Sequence, residues 1–142
     1  MEKTGVGLNL GGALEYRRFT VPYTDLTDTA GTSKAVTLFT IPKGGKILGV
    51  FAKHSVAFAG VAISAMTVSV GKSGSTTFFT SAFDIFAAVA DTTVQETALF
   101  KCGQLTALAV IATFTSTGAN LTVLTAGSVD IYVLFANVTT PL

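Results

Sequence analysis

Apolar and polar residues alternate along most of the chain after residue 15, which is the pattern of half-buried β-strands. The alternation is regular in Met66-Thr67-Val68-Ser69-Val70, where every second side chain is apolar. The pattern predicts eight strands, at residues 16–21, 34–41, 47–53, 63–70, 76–80, 95–101, 105–115 and 128–136. Residues 121–124 are a candidate for a short extra strand, and residues 83–90 fit either a strand or a short helical turn.

Short turns and a few prolines separate these strands. Pro22, Pro42 and Pro141 lie at or beyond predicted strand ends, where a missing backbone N–H does least harm. No internal repeat or linker divides the 142 residues, which suffice for one domain with its own core. The sequence therefore predicts an all-β fold, a sandwich or barrel, and we favour an antiparallel, jelly-roll-like β-sandwich of about eight strands.

The first 14 residues contain four glycines and show little periodicity, so we expect an extended N-terminal arm at residues 1–14 and a single sandwich domain at residues 15–142. Either a neighbouring subunit or the chain's own sheet could hold such an arm in place. The apolar positions of the arm are expected to contact a partner; they are Val6, Leu8, Leu10 and Leu14.

Two glycine–lysine pairs resemble the end of a phosphate-binding P-loop, at Gly71-Lys72-Ser73 and at Gly45-Lys46. A P-loop starts with a glycine five residues before the second glycine and leads into a helix. Met66 and Thr40 occupy those first positions, and no amphipathic helix follows Ser73. Because glycine adopts positive φ at little cost, we predict that both segments are turns between strands.

Charge is scarce in this chain. Charged residues make up 12% of it, about half of the ~25% usual in soluble domains. Apolar residues make up 49%, and the mean hydropathy is +0.62. The surface must therefore consist largely of Thr, Ser, Gly and Ala. Such a surface could belong to a soluble β domain, but it better fits a subunit whose flanks are covered by neighbours, and this makes a homo-oligomer the favoured state.

Several functional classes are not indicated. The net charge is +1 and the only adjacent basic residues are Arg17-Arg18, so direct nucleic-acid binding is not predicted. Residues 54–71 and 102–129 carry no charge, but they are rich in Thr, Ser, Ala and Gly rather than Leu and Ile, so no membrane segment is predicted. The N-terminus shows no signal peptide, which favours synthesis in the host cytoplasm. Cys102 is the only cysteine and is expected to be a small buried hydrophobe.

No group of residues indicates catalysis, a metal or a cofactor. His54 is the only histidine, so we interpret it as a strand-end or surface residue without metal-binding partners. The carboxylates Asp84, Asp91, Glu96 and Asp130 are isolated from one another in sequence. Asp130 alternates with apolar residues and is expected to point outward, where a basic residue of a neighbour could pair with it. We predict no catalytic residue, no metal or cofactor site, and no enzymatic activity.

The eleven phenylalanines are the main aromatic mass and are expected to fill the sandwich core. Phe78 and Phe79 are adjacent, so in a strand their side chains would face opposite sides. One of the two should emerge on the outer face, where a partner could cover it. We therefore add Phe78 and Phe79 to the candidate interaction residues of the arm.

Four segments together resemble small structural proteins of tailed-phage virions, specifically the jelly-roll type of capsid decoration or cement protein; they are FTVPYTDLT, VTLFTIPKGGKILGVFAK, TVSVGKSGS and TSTGANLTVLTAGSVDIYVLF. The resemblance spans about residues 16–135. It implies a sandwich on the exterior of the virion capsid that binds the major capsid protein and its own copies, often as a trimer, with residues 1–14 reaching a neighbour. It implies no catalytic residue. The alternative is a receptor- or carbohydrate-binding β-sandwich of a phage tail or fibre.

Overall fold

The computed structural model describes residues 14–86 and 106–136 in full, together with the backbone of two strands at residues 6–9 and 93–96. Nine strands lie in these residues: β1 (Val6–Asn9), β2 (Leu14–Pro22), β3 (Ser33–Ile41), β4 (Lys46–Gly60), β5 (Ala65–Gly71), β6 (Phe83–Asp84), β7 (Thr93–Glu96), β8 (Leu108–Thr117) and β9 (Leu124–Ala136). Two single-turn 3₁₀ helices, at Tyr23–Asp25 and Leu121–Val123, lie on the connections that lead into β3 and β9.

The strands form two antiparallel sheets that pack face to face. One sheet has five strands in the order β1-β2-β9-β4-β7, and the other has four in the order β3-β8-β5-β6. The chain crosses between the sheets at β2–β3, β3–β4, β4–β5 and β8–β9, and it also crosses at β6–β7 and β7–β8, because β7 lies in the other sheet from β6 and β8. The predicted antiparallel β-sandwich is confirmed.

The core lies between the sheets and is formed by every second residue of the long strands. In β9 the buried residues Val129, Ile131, Val133 and Phe135 alternate with partly exposed ones. Phenylalanines from both sheets meet here: Phe39 of β3 has its ring centroid 5.3 Å from that of Phe19 and 4.9 Å from that of Phe135. Most described phenylalanines are buried or packed against this core, as predicted.

The positively charged Arg17 covers the core at one side of the sandwich. Its guanidinium carbon lies 5.6 Å from the ring centroid of Phe39 and 5.2 Å from that of Phe135, at cation–π distance. The guanidinium also donates to Glu15 over 3.1 Å. Two charged residues of β2 therefore close an edge of an otherwise apolar interior.

One predicted strand is wrong. Residues 76–80 do not form a strand, because a tight turn at residues 72–75 folds the chain back across the end of β5. The amides of Phe79 and Thr80 both donate to the carbonyl of Val70, over 2.9 and 3.0 Å, and the Val70 amide donates to the Thr80 hydroxyl over 2.8 Å. The segment caps the strand instead of extending the sheet.

Two long strands extend beyond their predicted bounds. β4 continues to Gly60, seven residues beyond its predicted end, and β9 begins at Leu124 rather than at residue 128. The candidate strand at 121–124 is a 3₁₀ turn that leads directly into β9. Residues 83–84 form β6, while residues 87–92 and 97–105, including Asp91 and Cys102, lie outside the described part of the chain.

Part of the predicted arm pairs with the chain's own sheet. Val6 lies opposite Arg18, and Leu8 lies opposite Tyr16 in the β1–β2 ladder. Leu14 is the first residue of β2 and pairs with Ala136 of β9. Leu10 lies outside the described residues. The arm and domain boundaries at residues 14 and 15 stay predictions.

Candidate interaction surfaces

The outer face of the five-stranded sheet carries a cluster of aromatic rings. Residues of β2, β9 and β4 that alternate with buried ones project from this side, which places Tyr16 and Tyr132 on neighbouring strands. Their ring centroids are 5.6 Å apart and nearly stacked, and the ring of Phe51 lies 6.4 Å from that of Tyr16. We name this surface the aromatic face; its apolar members are Leu14, Tyr16, Phe51, Val56, Tyr132 and Leu134, and its charged members are Arg18, Lys53 and Asp130.

Charged residues cross the aromatic face in two rows set by strand register. Arg18 lies opposite Tyr132, which lies opposite Phe51, and in the next row Asp130 lies between Thr20 and Lys53. The Thr20 hydroxyl donates to the Asp130 carboxylate over 2.5 Å. Asp130 therefore projects outward, as predicted, and its described hydrogen-bond partner is in its own chain.

The phenol of Tyr16 interacts electrostatically with Tyr132 and Arg18. Burial raises the pKa of the Tyr16 phenol above its ordinary value, the nearby Tyr132 raises this pKa further, and Arg18 opposes both. A phenol that is partly withdrawn from water and close to a guanidinium suits a protein contact, since Tyr and Arg are the residue types that dominate interface energetics.

The aromatic face continues toward the far end of β4. Val56 lies opposite Ser128 on the same side of the sheet and is 49% exposed, which makes it one of two large hydrophobic side chains that are clearly exposed in the described residues. At ~3.3 Å per residue and ~4.8 Å between strands, seven residues on each of three strands cover about 23 by 14 Å. That is about 330 Å², less than half of the roughly 800 Å² that each partner of a stable complex buries.

The outer face of the four-stranded sheet has a contrasting composition. β5 and β8 contain no charged residue, and β3 contains only Lys34. We name this surface the threonine face; its outward residues are Ser33, Ala35, Thr37, Thr40, Ala65, Thr67, Ala109, Ile111, Thr113, Thr115 and Thr117. The Thr, Ser and Ala surface predicted from composition is concentrated here.

The predicted interaction residues Phe78 and Phe79 lie in different environments. Phe79 is 2% exposed and belongs to the core, while Phe78 is half-buried with its ring edge-on to that of Phe79 at 5.1 Å. The ammonium of Lys72 lies 4.2 Å from the centre of the Phe78 ring. Neither phenylalanine lies in a strand, so the predicted strand geometry of the pair is wrong, although Phe79 is buried and Phe78 is partly exposed. Their role in contacting a partner stays a prediction, as does that of Val6, Leu8, Leu10 and Leu14.

Apart from Leu14 and the outward position of Asp130, the residues of the aromatic face were not predicted from sequence. The alternation in Tyr16, Arg18 and Thr20, and in Asp130, Tyr132 and Leu134, contained a usable signal, because each set occupies one side of a strand. Sequence does not reveal that the two sets are adjacent. They become neighbours only because β2 pairs with β9, which lies more than 100 residues further along the chain.

The interpretation of His54 as a strand-end or surface residue is wrong. His54 lies inside β4, opposite Val129, and is 1% exposed, so it is neither at a strand end nor on the surface. Neither ring nitrogen has a hydrogen-bond partner among the described residues. The period-two pattern explains its place, because Val50, Ala52 and His54 follow one another on the inner side of the strand.

The Gly71-Lys72-Ser73 segment is a turn, as predicted. The Lys72 amide donates to the Ser75 carbonyl over 2.9 Å, and the Ser75 amide donates to the Lys72 carbonyl over 3.0 Å. Gly74 has φ of +78°, and a Cβ at Gly71 would lie 2.1 Å from the Ser75 carbonyl oxygen. These two amides therefore bond within the turn rather than pointing toward a phosphate.

The described residues contain no cluster of three or more His, Cys, Asp or Glu side chains that could hold a metal ion. They also contain no helix of the length and hydropathy that a bilayer crossing requires.

The chain matches no protein-family model and no curated protein. Its fold is similar to chains in three solved structures. One is in the capsid asymmetric unit of cyanophage Pam1, with 21% identity, a TM-score of 0.62, and coverage of 92% of this chain and 91% of that chain. Another is in the capsid of Ralstonia phage GP4, with 13% identity, a TM-score of 0.59, and coverage of 97% and 93%. The third is in the acid-stable capsid of Helicobacter pylori bacteriophage KHP30, with 14% identity, a TM-score of 0.54, and coverage of 94% and 92%. At these identities the similarity establishes a shared β-sandwich fold.

Proposed function

We propose that this protein is a structural component of a phage virion that decorates and stabilises the capsid exterior by binding the major capsid protein and neighbouring copies of itself. The proposal is supported by similarity of fold, over more than nine-tenths of the chain, to chains in the capsids of three different phages. A protein with this role works by burying surface, and it needs no catalytic group.

The observation that carries the proposal is the aromatic face. Protein interfaces are rich in Tyr, Phe and Arg at their centres, and a few such residues supply most of the binding energy. Tyr16, Tyr132 and Arg18 are grouped on the outer face of one sheet. We assign the aromatic face to contact with the major capsid protein.

A carbohydrate- or receptor-binding module is less well supported. Sugar rings bind on free, flat aromatic surfaces, whereas the rings of Tyr16 and Tyr132 are stacked on each other at an interplanar angle of 25°. The ring faces that a pyranose would need are therefore partly occupied within the chain. The edges and hydroxyl groups remain for a protein partner.

Binding to particles tests the role of the aromatic face. Capsids that lack this protein would be titrated with purified chain, and bound protein would be counted by quantitative mass spectrometry. We expect saturation at a simple ratio to the major shell protein. Tyr132→Ala should weaken binding by about thirtyfold, because hot-spot truncations cost about 2 kcal/mol or more.

Lys43→Ala is the matched control, because Lys43 is an exposed residue of the β3–β4 turn, away from the aromatic face. It should bind as the unmodified chain does, and both variants should keep their far-UV circular dichroism spectra. Binding of the Tyr132→Ala chain at full affinity would contradict the assignment of the aromatic face. Failure of the unmodified chain to bind any capsid would contradict the virion role.

A further inference from the structure

The most exposed hydrophobic side chain of the described residues lies on a tight turn between β4 and β5. Val61 is 74% exposed at this turn, which we name the valine turn (residues 60–63). The amide of Ile63 donates to the carbonyl of Gly60 over 3.3 Å, and Ala62 has φ of +63°, a conformation that side chains with a Cβ rarely adopt. The exposed position of Val61 is therefore accompanied by backbone strain at the next residue, Ala62.

Close backbone packing makes the valine turn rigid. A Cβ at Gly118 would lie 2.4 Å from the carbonyl oxygen of Ala62, and a Cβ at Gly60 would lie 2.7 Å from that of Val123. The amide of Ser64 also donates to the carbonyl of Thr117 over 2.9 Å. A rigid apolar projection loses little conformational entropy when it is buried by a partner.

A cleft lies beside the free edge of β3, which has one neighbouring strand among those described. We name it the β3 cleft; it has a volume of about 490 Å³ and is lined by residues 34–37 of β3 together with Thr24, Asp25 and Asp28. Lys34 donates to the carbonyl oxygen of Asp25 over 2.6 Å and to the carboxylate of Asp28. These contacts offset the charges of Lys34 and Asp28. Asp25 is a further charged residue of the lining, and Ala35, Val36 and Thr37 supply small, uncharged surface.

The valine turn and the β3 cleft lie at the same end of the sandwich but on opposite flanks. The loop that contains Gly118 and Leu121 separates them. On one flank Gly118 packs against Ala62, and on the other the amide of Leu121 donates to the carbonyl of Gly31, next to β3, over 2.9 Å. Two different surfaces at one level on opposite flanks are what a head-to-tail contact around a rotation axis requires.

We propose that the valine turn of one copy inserts into the β3 cleft of the next, so that copies of this chain join head to tail into a closed ring. Residues 54–71 carry no charge, so the inserted turn brings no unpaired charge into the cleft. Each copy makes the contact twice, once as donor and once as acceptor, and closure of the ring adds the strength of repeated contacts. The inference deepens the proposed function by naming the surfaces that join copies.

Sedimentation velocity of the purified chain alone tests this contact. Unmodified protein should self-associate into one closed species, and Val61→Asp should weaken the association at least about tenfold by placing a charge in the cleft. Thr77→Asp is the matched control, because Thr77 is an exposed β-branched residue beyond the far end of β5, on neither the valine turn nor the aromatic face. It should leave self-association unchanged. Both residues are largely exposed, so melting temperatures should change little.

Cysteine cross-linking tests the direction of the contact. In a Cys102→Ser background, a mixture of Ala35→Cys chains and Val61→Cys chains should form a disulfide-linked heterodimer on oxidation, while neither variant alone should cross-link. A disulfide requires Cα atoms within about 7 Å, so the mixture reports direct apposition of the two surfaces.

Three results would overturn the inference: unmodified protein that stays monomeric at about 1 mM, Val61→Asp that self-associates normally, or a mixture that cross-links no more than the single variants. These measurements use no other virion protein. Their failure would therefore leave the particle-binding test of the aromatic face unaffected, and the failure of that test would leave these results unaffected.

Discussion

A single imidazole in the core is the residue-scale feature with the clearest energetic consequence. His54 is 1% exposed, and both ring nitrogens lack hydrogen-bond partners among the described residues. Leaving a buried polar group unsatisfied costs about 1–3 kcal/mol relative to an apolar group of similar shape. His54 is therefore a position at which the sequence departs from the best packing of this core.

We expect His54→Leu to stabilise the fold by about 1 kcal/mol, which corresponds to a rise of roughly 3 °C in the melting temperature of a domain of this size. His54→Asn is the control, because it keeps a buried polar group and leaves a smaller side chain, so it should lower the melting temperature. Thermal unfolding followed by circular dichroism measures both. A loss of more than about 1 kcal/mol in His54→Leu would mean that the imidazole is satisfied in the folded protein.

Sequence patterns predicted the environment of Asp130 better than that of His54. Asp130 lies between Val129 and Ile131, whereas His54 lies between Lys53 and Ser55, and both fit a period-two strand. Asp130 could be assigned outward because an unpaired carboxylate is rarely buried. A histidine is compatible with either side, and its assignment depended on where β4 ends. The strand was predicted to end at residue 53, which would have placed His54 beyond it, whereas the strand continues to Gly60.

At the scale of elements, β4 and β9 form the longest ladder, and its second half is irregular. The pairing shifts between His54 and Val56, between Val56 and Ala59, and between Ala59 and Gly60. Gly127 of β9 lies in this irregular part with φ of +135°, and the ring of Phe58 packs directly on its backbone. A glycine is needed here both for the dihedral angle and for the space.

Gly127→Ala should destabilise the fold by about 2–4 kcal/mol, because a Cβ would lie 2.3 Å from Cγ of Phe58 and would sit on an unfavourable φ. Gly74→Ala is the matched control: its φ is +78°, but nothing lies within 4 Å of the added Cβ, so it should cost only about 1 kcal/mol. Urea unfolding of both variants separates the steric cost from the backbone cost. Equal losses in the two variants would contradict the packing role of Gly127.

Strands with a long alternation of apolar and polar residues were located well from sequence. The wrong predictions occur where the direction of a turn determines the structure of the residues that follow it. Residues 76–80 have the Thr and Phe composition of a strand, but hydrogen bonds from Phe79 and Thr80 to Val70 hold them across the end of β5. Those bonds depend on the direction in which the turn at residues 72–75 leaves the sheet. Local composition contains no information about that direction.

At the scale of the whole molecule, β1 covers a strand that is suited to being an edge. β2 carries Glu15, Arg17 and Arg18 within nine residues, more charge than any other described strand. Charged side chains are a common device that protects exposed sheet edges from unwanted pairing. β2 could therefore form the edge of a stable sheet without β1, and the division into an arm and a sandwich domain stays a prediction.

Deletion of residues 2–13 should leave a cooperatively folded sandwich whose melting temperature falls by only a few degrees, since β1 pairs with β2 through four residues. If the arm contacts a neighbour, the shortened chain should also bind capsids more weakly. Circular dichroism and the particle-binding measurement test the two parts separately. An unfolded product would show that the arm belongs to the core.

The contacts that join the two sheets differ between the two sides of the sandwich. This difference decides where the sheets should first separate under pressure or on heating. On the side of β6, the amide of Phe58 in one sheet donates to the carbonyl of Ile85 beside the other over 3.0 Å. On the side of β3, the described closure is the guanidinium of Arg17 over the rings of Phe39 and Phe135. The two sheets are therefore held together more firmly on the side of β6 than on the side of β3. Water should first enter the interior on the β3 side, beneath Arg17, while β4, β5 and β8 remain together.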